Sequence, residues 1–344
     1  MAAKDLHKIP FSIATVSVGT EKTDLIKKLS AISAAHFTGI ELGFSDLLSY
    51  ASAHLSRIIK ENDYDSLVQA AVDVKCLAAA YGLKIMMLQP FANFEGWKDG
   101  SEEREEAFNR ARGWIRIMKA VGTDMLQVGS SDSDGIGGKE DSVRDLKELG
   151  EMLAKKGFKL AYEPWCWATI SPTWKDCWEV VKAVDMPNVG LCLDTFQIIG
   201  GEYADPTKDG GIKTDVDAQH LGHRFAESLE ELTQTVPADK IYLLQISDAW
   251  LPKTPIEDLV KDGLRPKGRW SKNYRPLPYY GGYLPIQEVA KKVLDTGARS
   301  WWSVEVFDGG PEGEEKRDTD LQAFCERAMK NVQRLLKESG EGKF

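Results

Sequence analysis

The sequence predicts a single closed (β/α)8 barrel of the α/β class. Two observations carry this expectation. Short apolar runs alternate with segments of 3.6-residue periodicity eight times along the chain, and no Pro/Gly/Ser-rich linker or shift in composition divides it. At roughly 150 residues per domain, 344 residues would suggest two domains, but α/β barrels often run longer as one unit. One domain is therefore expected over residues 1–344.

The eight expected strands lie at residues 11–18, 39–42, 84–88, 125–128, 159–162, 189–193, 241–246 and 302–306. Between them, Leu25, Leu29 and Ile32 mark a first helical face, and Ala107, Ala111, Trp114, Ile115 and Met118 a third. Trp174, Cys177, Trp178 and Val181 mark a fifth, and Leu321, Phe324, Cys325, Ala328, Val332 and Leu335 the last. Gly82, Gly122, Gly157 and Gly297 stand where helices should stop and the next strand begins. Two connections are long, 200–217 after the sixth strand and 247–284 after the seventh. Loops that follow strands form the catalytic face of such a barrel, so their length predicts a lid or substrate wall. Trp250, Trp270, Tyr274, Tyr279, Tyr280 and Tyr283 predict that the second loop is packed rather than disordered.

Composition narrows the class of function. Forty-four Lys+Arg against 53 Asp+Glu give a net charge of −9, and no dense basic block offsets it, so nucleic acid is excluded as the expected partner. The N-terminal region has no apolar run suited to a signal peptide, and no stretch reaches the roughly 18 apolar residues of a membrane span. A cytosolic protein is expected, without membrane contact and compatible with a homo-oligomer. The five cysteines are scattered without a CxxC pair, which predicts reduced core residues rather than disulfides or a thiolate zinc site.

The strand ends carry the chemistry. Seven finish in an acid or amide: Glu41, Gln89, Gln127, Glu163, Asp194, Gln245 and Glu305. A carboxylate at the end of an apolar strand is desolvated, and unpaired buried charge is too costly to be tolerated. Glu163, Asp194, Gln245 and Glu305, from consecutive strands, are expected to share one divalent cation. Three carboxylates and an amide oxygen suit Mg²⁺ or Mn²⁺, with Co²⁺ also possible. Such an ion would act as a Lewis acid toward a developing enolate. Trp174 and Trp178 belong to a helical face, whereas Trp165 and Trp167 follow Glu163 on the rim, where a water-excluding wall is one role open to them.

At these residues the chain resembles the xylose-isomerase-like, sugar-phosphate isomerase/epimerase superfamily of metal-dependent TIM barrels. More narrowly it resembles the fungal quinate-pathway 3-dehydroshikimate dehydratases. The segments GIELGFSDL, LQPFANFEG, YEPWCWAT, GLCLDTFQIIGGEYADPT, LLQISDA, RWSKNYRPLPYYGGYLP and SVEVF carry the likeness in order. The resemblance implies dehydration of 3-dehydroshikimate to protocatechuate, with the four strand-end residues as metal ligands. It also implies that Ser271 and Arg275 meet the substrate, a small carboxylate that an Arg fork matches well. Lys272 and Lys267 would add charge, and Glu41, Gln89, Gln197 and Trp165 complete the expected substrate-facing set. The expected catalytic residues are Glu163, Glu305 and Arg275, with the base left open between Glu163, Glu305 and a hydroxide on the metal. His220 and His223 are expected at the surface. The chain departs from the family pattern at Gln197, where bacterial relatives carry His, and at Ala92, Gly201 and Lys272, where relatives carry Arg or Ser. The alternative on the same metal site is a sugar or cyclitol isomerase or epimerase.

Overall fold

Period-two alternation decides what fills the barrel. Strand side chains point alternately to opposite faces, so the residue two places before each polar strand end lies on the same face as that end. In the computed structural model, which describes residues 6–314 and 320–341, Met87, Met125, Ala161, Cys192 and Leu243 form one buried cluster. Two places further on stand Gln89, Gln127, Glu163, Asp194 and Gln245, all buried. An apolar plug thus supports a polar layer at the catalytic end.

The parallel barrel strands are β1 (Phe11–Ala14), β2 (Gly39–Gly43), β3 (Lys84–Phe91), β4 (Met125–Gly129), β5 (Lys159–Glu163), β6 (Val189–Asp194) and β7 (Ile241–Ile246). After the short β8 (Tyr274–Arg275), β9 (Trp301–Val304) closes the ring against β7 and β1. Registers Gly129↔Glu163 and Asp194↔Gln245 bring neighbouring strand ends level on one rim. The β8 strand pairs outside the barrel with β10 (Phe307–Asp308), antiparallel, with Phe307 opposite Arg275.

The helices cover the outside with the faces the periodicity predicts. Leu25, Leu29 and Ile32 are buried, as are Ala107, Ala111, Trp114, Ile115 and Met118 on helix Glu102–Val121. That helix ends where Gly122 takes φ +80°, a left-handed conformation that favours glycine. No described helix is long and apolar enough to cross a membrane.

Three expectations change. The first strand stops at Ala14, not residue 18, because the chain turns in Thr15–Ser17. There the Thr15 hydroxyl accepts from Gly43 N at 3.0 Å and its carbonyl accepts from Lys28 Nζ at 3.2 Å. Gly200 and Gly201 do not begin a loop. They lie in helix Thr195–Glu202, which starts at once because Asp194 Oδ1 caps Phe196 N at 2.7 Å. A Cβ at Gly201 would lie 2.8 Å from Pro172 O, so the arginine of the family pattern has no room there. Cys76 is exposed while the other four cysteines are buried, and all five are free thiols. The loop after β7 is packed as expected: it holds helix Pro266–Asn273 and the fully buried Trp270, with Tyr280 exposed.

Candidate active site

The polar layer sorts itself by charge around the rim. Glu163, Asp194 and Glu305 each offer a carboxylate oxygen within 4.8 Å of the others, and all three are buried. Burial and the charges of Glu305 and Asp194 push the Glu163 carboxyl well above the usual carboxylate range. Burial likewise raises Asp194 and Glu305, with Arg275 pulling both back. Like charges this close, out of water, require a cation or protons.

Arg275 supplies part of that counter-charge. Its Nη2 donates to Asp194 Oδ2 at 2.5 Å and its Nη1 lies 3.0 Å from Glu305 Oε2. With three ionised carboxylates and one guanidinium, two formal negative charges remain, the complement of a divalent ion. Glu163 Oε1 is buried with no hydrogen-bond partner among the described residues, and the donors are hard oxygens. This acidic triad fits a metal ion on both counts.

Amides and a ring nitrogen hold the acids in place. Gln89 Nε2 donates to Glu305 Oε1 at 3.0 Å, and Trp165 Nε1 to Glu163 Oε2 at 3.2 Å. Gln127 donates to Glu163 as well. Gln245 stands beside Asp194, its Nε2 donating to Glu41 Oε2 at 2.8 Å while its Oε1 accepts from the Cys192 thiol at 3.1 Å. Glu41 is fully buried, its other oxygen unpartnered, and burial with the Glu305 charge pushes its carboxyl up. Glu41 therefore underlies the site, shut away from the cavity.

The Trp165 and Trp167 rings stack with centroids 5.0 Å apart, and the Trp165 ring covers Gly129, where any Cβ would strike it at 2.2 Å. Gln197 accepts from Cys166 N at 3.0 Å and so bridges two rim segments. Lys267 donates to Gly200 O at 2.5 Å, which occupies it structurally. His220 and His223 are exposed on helix Ala218–Thr235, paired with Asp217 and Glu227.

A cavity of about 1370 Å³ opens over the β1–β3 side of the rim. Gln89, Pro90, Arg110, Lys22, Lys272 and Phe307 are among its walls. Gln89 therefore touches both the cavity and the acidic triad. Arg110 donates to the carbonyls of Ala92 and Asn93 at 2.7 and 3.0 Å and lies 4.6 Å over the Phe91 ring. It braces the loop that holds Ala92.

Sequence reasoning missed Glu95. It is buried in the loop after β3, accepting from Ser131 N at 2.7 Å and Tyr162 Oη at 2.8 Å, and burial raises its carboxyl to about 7. It joins the loops after β3 and β4 to β5. The signal was a lone acid among apolar neighbours in FANFEG, which has no periodicity to mark it. The buried Lys28–Asp46 pair, 2.7 Å apart beneath the cavity, was also missed.

With this geometry in place, the comparisons agree with it. The xylose isomerase-like TIM barrel family matches residues 29–327. A 3-dehydroshikimate dehydratase of Neurospora crassa is 32% identical over 299 residues, 82% of this chain and 81% of that protein. A 3-dehydroshikimate dehydratase of Pseudomonas aeruginosa is 31% identical over 301 residues, 87% of this chain but only 38% of the relative, so the chain spans well under half of that protein. Among solved structures, a xylose isomerase-like TIM barrel/4-hydroxyphenylpyruvate dioxygenase fusion protein superposes with TM-score 0.71 at 26% identity, over 96% of this chain and 43% of the fusion. By its closed parallel barrel, its acidic rim and these matches, the chain belongs to the xylose isomerase-like TIM barrel family.

Proposed function

We propose that this chain is a divalent-metal-dependent hydro-lyase that converts 3-dehydroshikimate to protocatechuate. The observation that carries it is the buried acidic triad with one carboxylate oxygen left unpartnered, on a chain whose relatives bear that dehydratase name. Glu163, Asp194 and Glu305 would hold Mg²⁺ or Mn²⁺, or Co²⁺ on the same donors; the Gln245 amide oxygen, expected as a fourth ligand, accepts from the Cys192 thiol in this structure. Such an ion supplies positive charge to a ketone oxygen as the neighbouring C–H is deprotonated.

The chain's own groups do the rest. Glu305 is the most exposed of the three acids, 7% against 2% and 0%, and its partner Gln89 lies in the cavity wall, so Glu305 is placed to touch substrate there. It takes the proton α to the ketone. The resulting carboxylic acid returns that proton to the β-hydroxyl, which leaves as water, and the ring tautomerises to the catechol. Aromatisation makes the loss of water effectively irreversible. The stacked Trp165 and Trp167 shield the charged intermediate from solvent. The partner is a small carboxylate in a cytosolic setting, with no nucleic acid or membrane involved.

Metal analysis followed by incubation with 3-dehydroshikimate tests the proposal. One ion per chain and rising protocatechuate absorbance are expected. A metal-loaded protein silent toward 3-dehydroshikimate but active on a ketose or cyclitol would replace the dehydratase with an isomerase on the same site.

A further inference from the structure

The polar layer holds one side chain whose two ends must not be exchanged. Gln245 stands opposite Asp194 in the β6–β7 register and is fully buried. Its amide carries an acceptor at one end and two donors at the other, almost alike in shape, and only the oxygen can serve a cation. Turned the wrong way round, the amide would set N–H groups against the ion. Something in the barrel interior must therefore decide its orientation.

Glu41 is placed to do so. It is 0% exposed, and its Oε2 accepts from Gln245 Nε2 at 2.8 Å, across the interior from β2 to β7. An accepting oxygen there admits the amino end of the amide and refuses the carbonyl end. That leaves the carbonyl end to the Cys192 thiol, 3.1 Å from Gln245 Oε1. A thiol is a weak donor and an amide oxygen has two lone pairs, so this contact parks the oxygen without spending it. Glu41 is otherwise an expensive residue to keep. Its Oε1 has no hydrogen-bond partner among the described residues, the charges of Glu305 and Asp194 bear on it, and it takes no part in the cavity wall.

We propose that Glu41 is a positioning residue, which holds the Gln245 amide by its nitrogen so that the amide oxygen stands ready as a fourth donor to the divalent ion. The resemblance implied a substrate-facing place for Glu41; burial beneath the rim gives it this one instead. This role rests on the metal half of the proposed function and not on the substrate.

Calorimetric titration with Mn²⁺ alone, on wild type, Glu41→Leu, Gln245→Ala and the double variant, tests it. Removing a buried acid from among like charges is expected to leave the metal-free Tm of Glu41→Leu unchanged or raised. Mn²⁺ binding in Glu41→Leu is expected to weaken by about 10- to 100-fold, the usual cost of losing a group that orients a metal ligand. With Gln245→Ala already present, the same substitution is expected to change Mn²⁺ affinity by no more than about twofold, since no amide is left to orient. If charge alone linked Glu41 to the ion, the two substitutions would add; that outcome overturns the role, as does unchanged affinity in Glu41→Leu. With Co²⁺ as the probe, the visible absorption of Glu41→Leu is expected to match that of Gln245→Ala, and a wild-type spectrum would count against the role equally. Should Glu41→Leu fail to fold, Glu41→Gln, which can meet Gln245 with either end, is expected to weaken Mn²⁺ binding several-fold only while Gln245 is present, and no weakening overturns the role. Wild type that binds no Mn²⁺ would overturn the metal site itself. Tight wild-type binding with an additive cycle would remove Glu41 alone and leave the metal site standing.

Discussion

The two halves of the rim are built on opposite terms. The β5–β9 half gathers three carboxylates and a guanidinium out of water, with nearly every donor engaged. The β1–β3 half holds an open cavity whose walls include a lysine with no ion pair among the described residues and an amide shared with the acidic side. Charge that must act on a reacting atom is placed where the local dielectric is low and geometry is fixed. Charge that must capture a solute stays where water can be displaced late. Gln89 and Glu95 sit at the seam between the halves.

The comparison can be broken hardest at the acidic half. Glu163→Gln is expected to reduce protocatechuate formation by roughly three orders of magnitude, with Mn²⁺ binding lost in the same titration, as removal of a key electrostatic group does. Retained activity would move the chemistry elsewhere on the rim.

At the seam, Glu95 gives a pH test. Its folded-state carboxyl is raised from 4.5 to about 7 by burial, so its contribution to stability is fully present below about pH 4.5 and lost as pH rises through 7. Glu95→Gln keeps an oxygen for Ser131 N and Tyr162 Oη but does not ionise. Urea unfolding of both proteins at pH 5 and pH 8 is expected to show the variant gaining relative to wild type with pH, by up to about 3 kcal/mol. A pH-independent difference would remove Glu95 from the balance.

Metal removal probes the same half from the side of stability. Chelation is expected to lower Tm, and Mn²⁺ at about 100 times its Kd to restore roughly 2.7 kcal/mol in thermal unfolding. No shift on chelation would mean that the triad is balanced by protons alone. The smallest expected effect comes from Trp165→Phe, which keeps an aromatic ring over Gly129 but drops the hydrogen bond to Glu163. One such bond is worth about 1 kcal/mol, so about a fivefold fall in kcat/KM is expected in the absorbance assay.

The acidic triad was legible in the sequence because a carboxylate ending an apolar strand has few physical excuses, and alternation fixed which face it takes. The barrel was legible for the same reason: Met87, Ala161, Cys192 and Leu243 sit two places before the polar ends. What Arg275 touches was not legible. It lies in a 38-residue connection, 247–284, and no local pattern reports that its partners come from β6 and from the residue just after β9. The end of the first strand was misjudged because Thr15 and Val16 read as strand formers, while contacts from Gly43 and Lys28 turn the chain there. Gly200 and Gly201 were misread because glycine pairs suggest loops, and the capping carboxylate of Asp194 overrides that preference.

The small ribbon of β8 and β10 has an architectural consequence. It is stitched on from several sides: Gly309 N donates to Asn273 O at 2.7 Å, Trp250 Nε1 to Asp308 Oδ1 at 2.7 Å, and Trp250 N to Tyr274 O at 2.8 Å. The long insertion after β7 is therefore sewn to the segment after β9 as well as to its own strand. A flap hinged along one edge swings, but a panel seamed along two edges is masonry. The approach left to the acidic triad is the β1–β3 side, where Gln89 both lines the cavity and bonds Glu305.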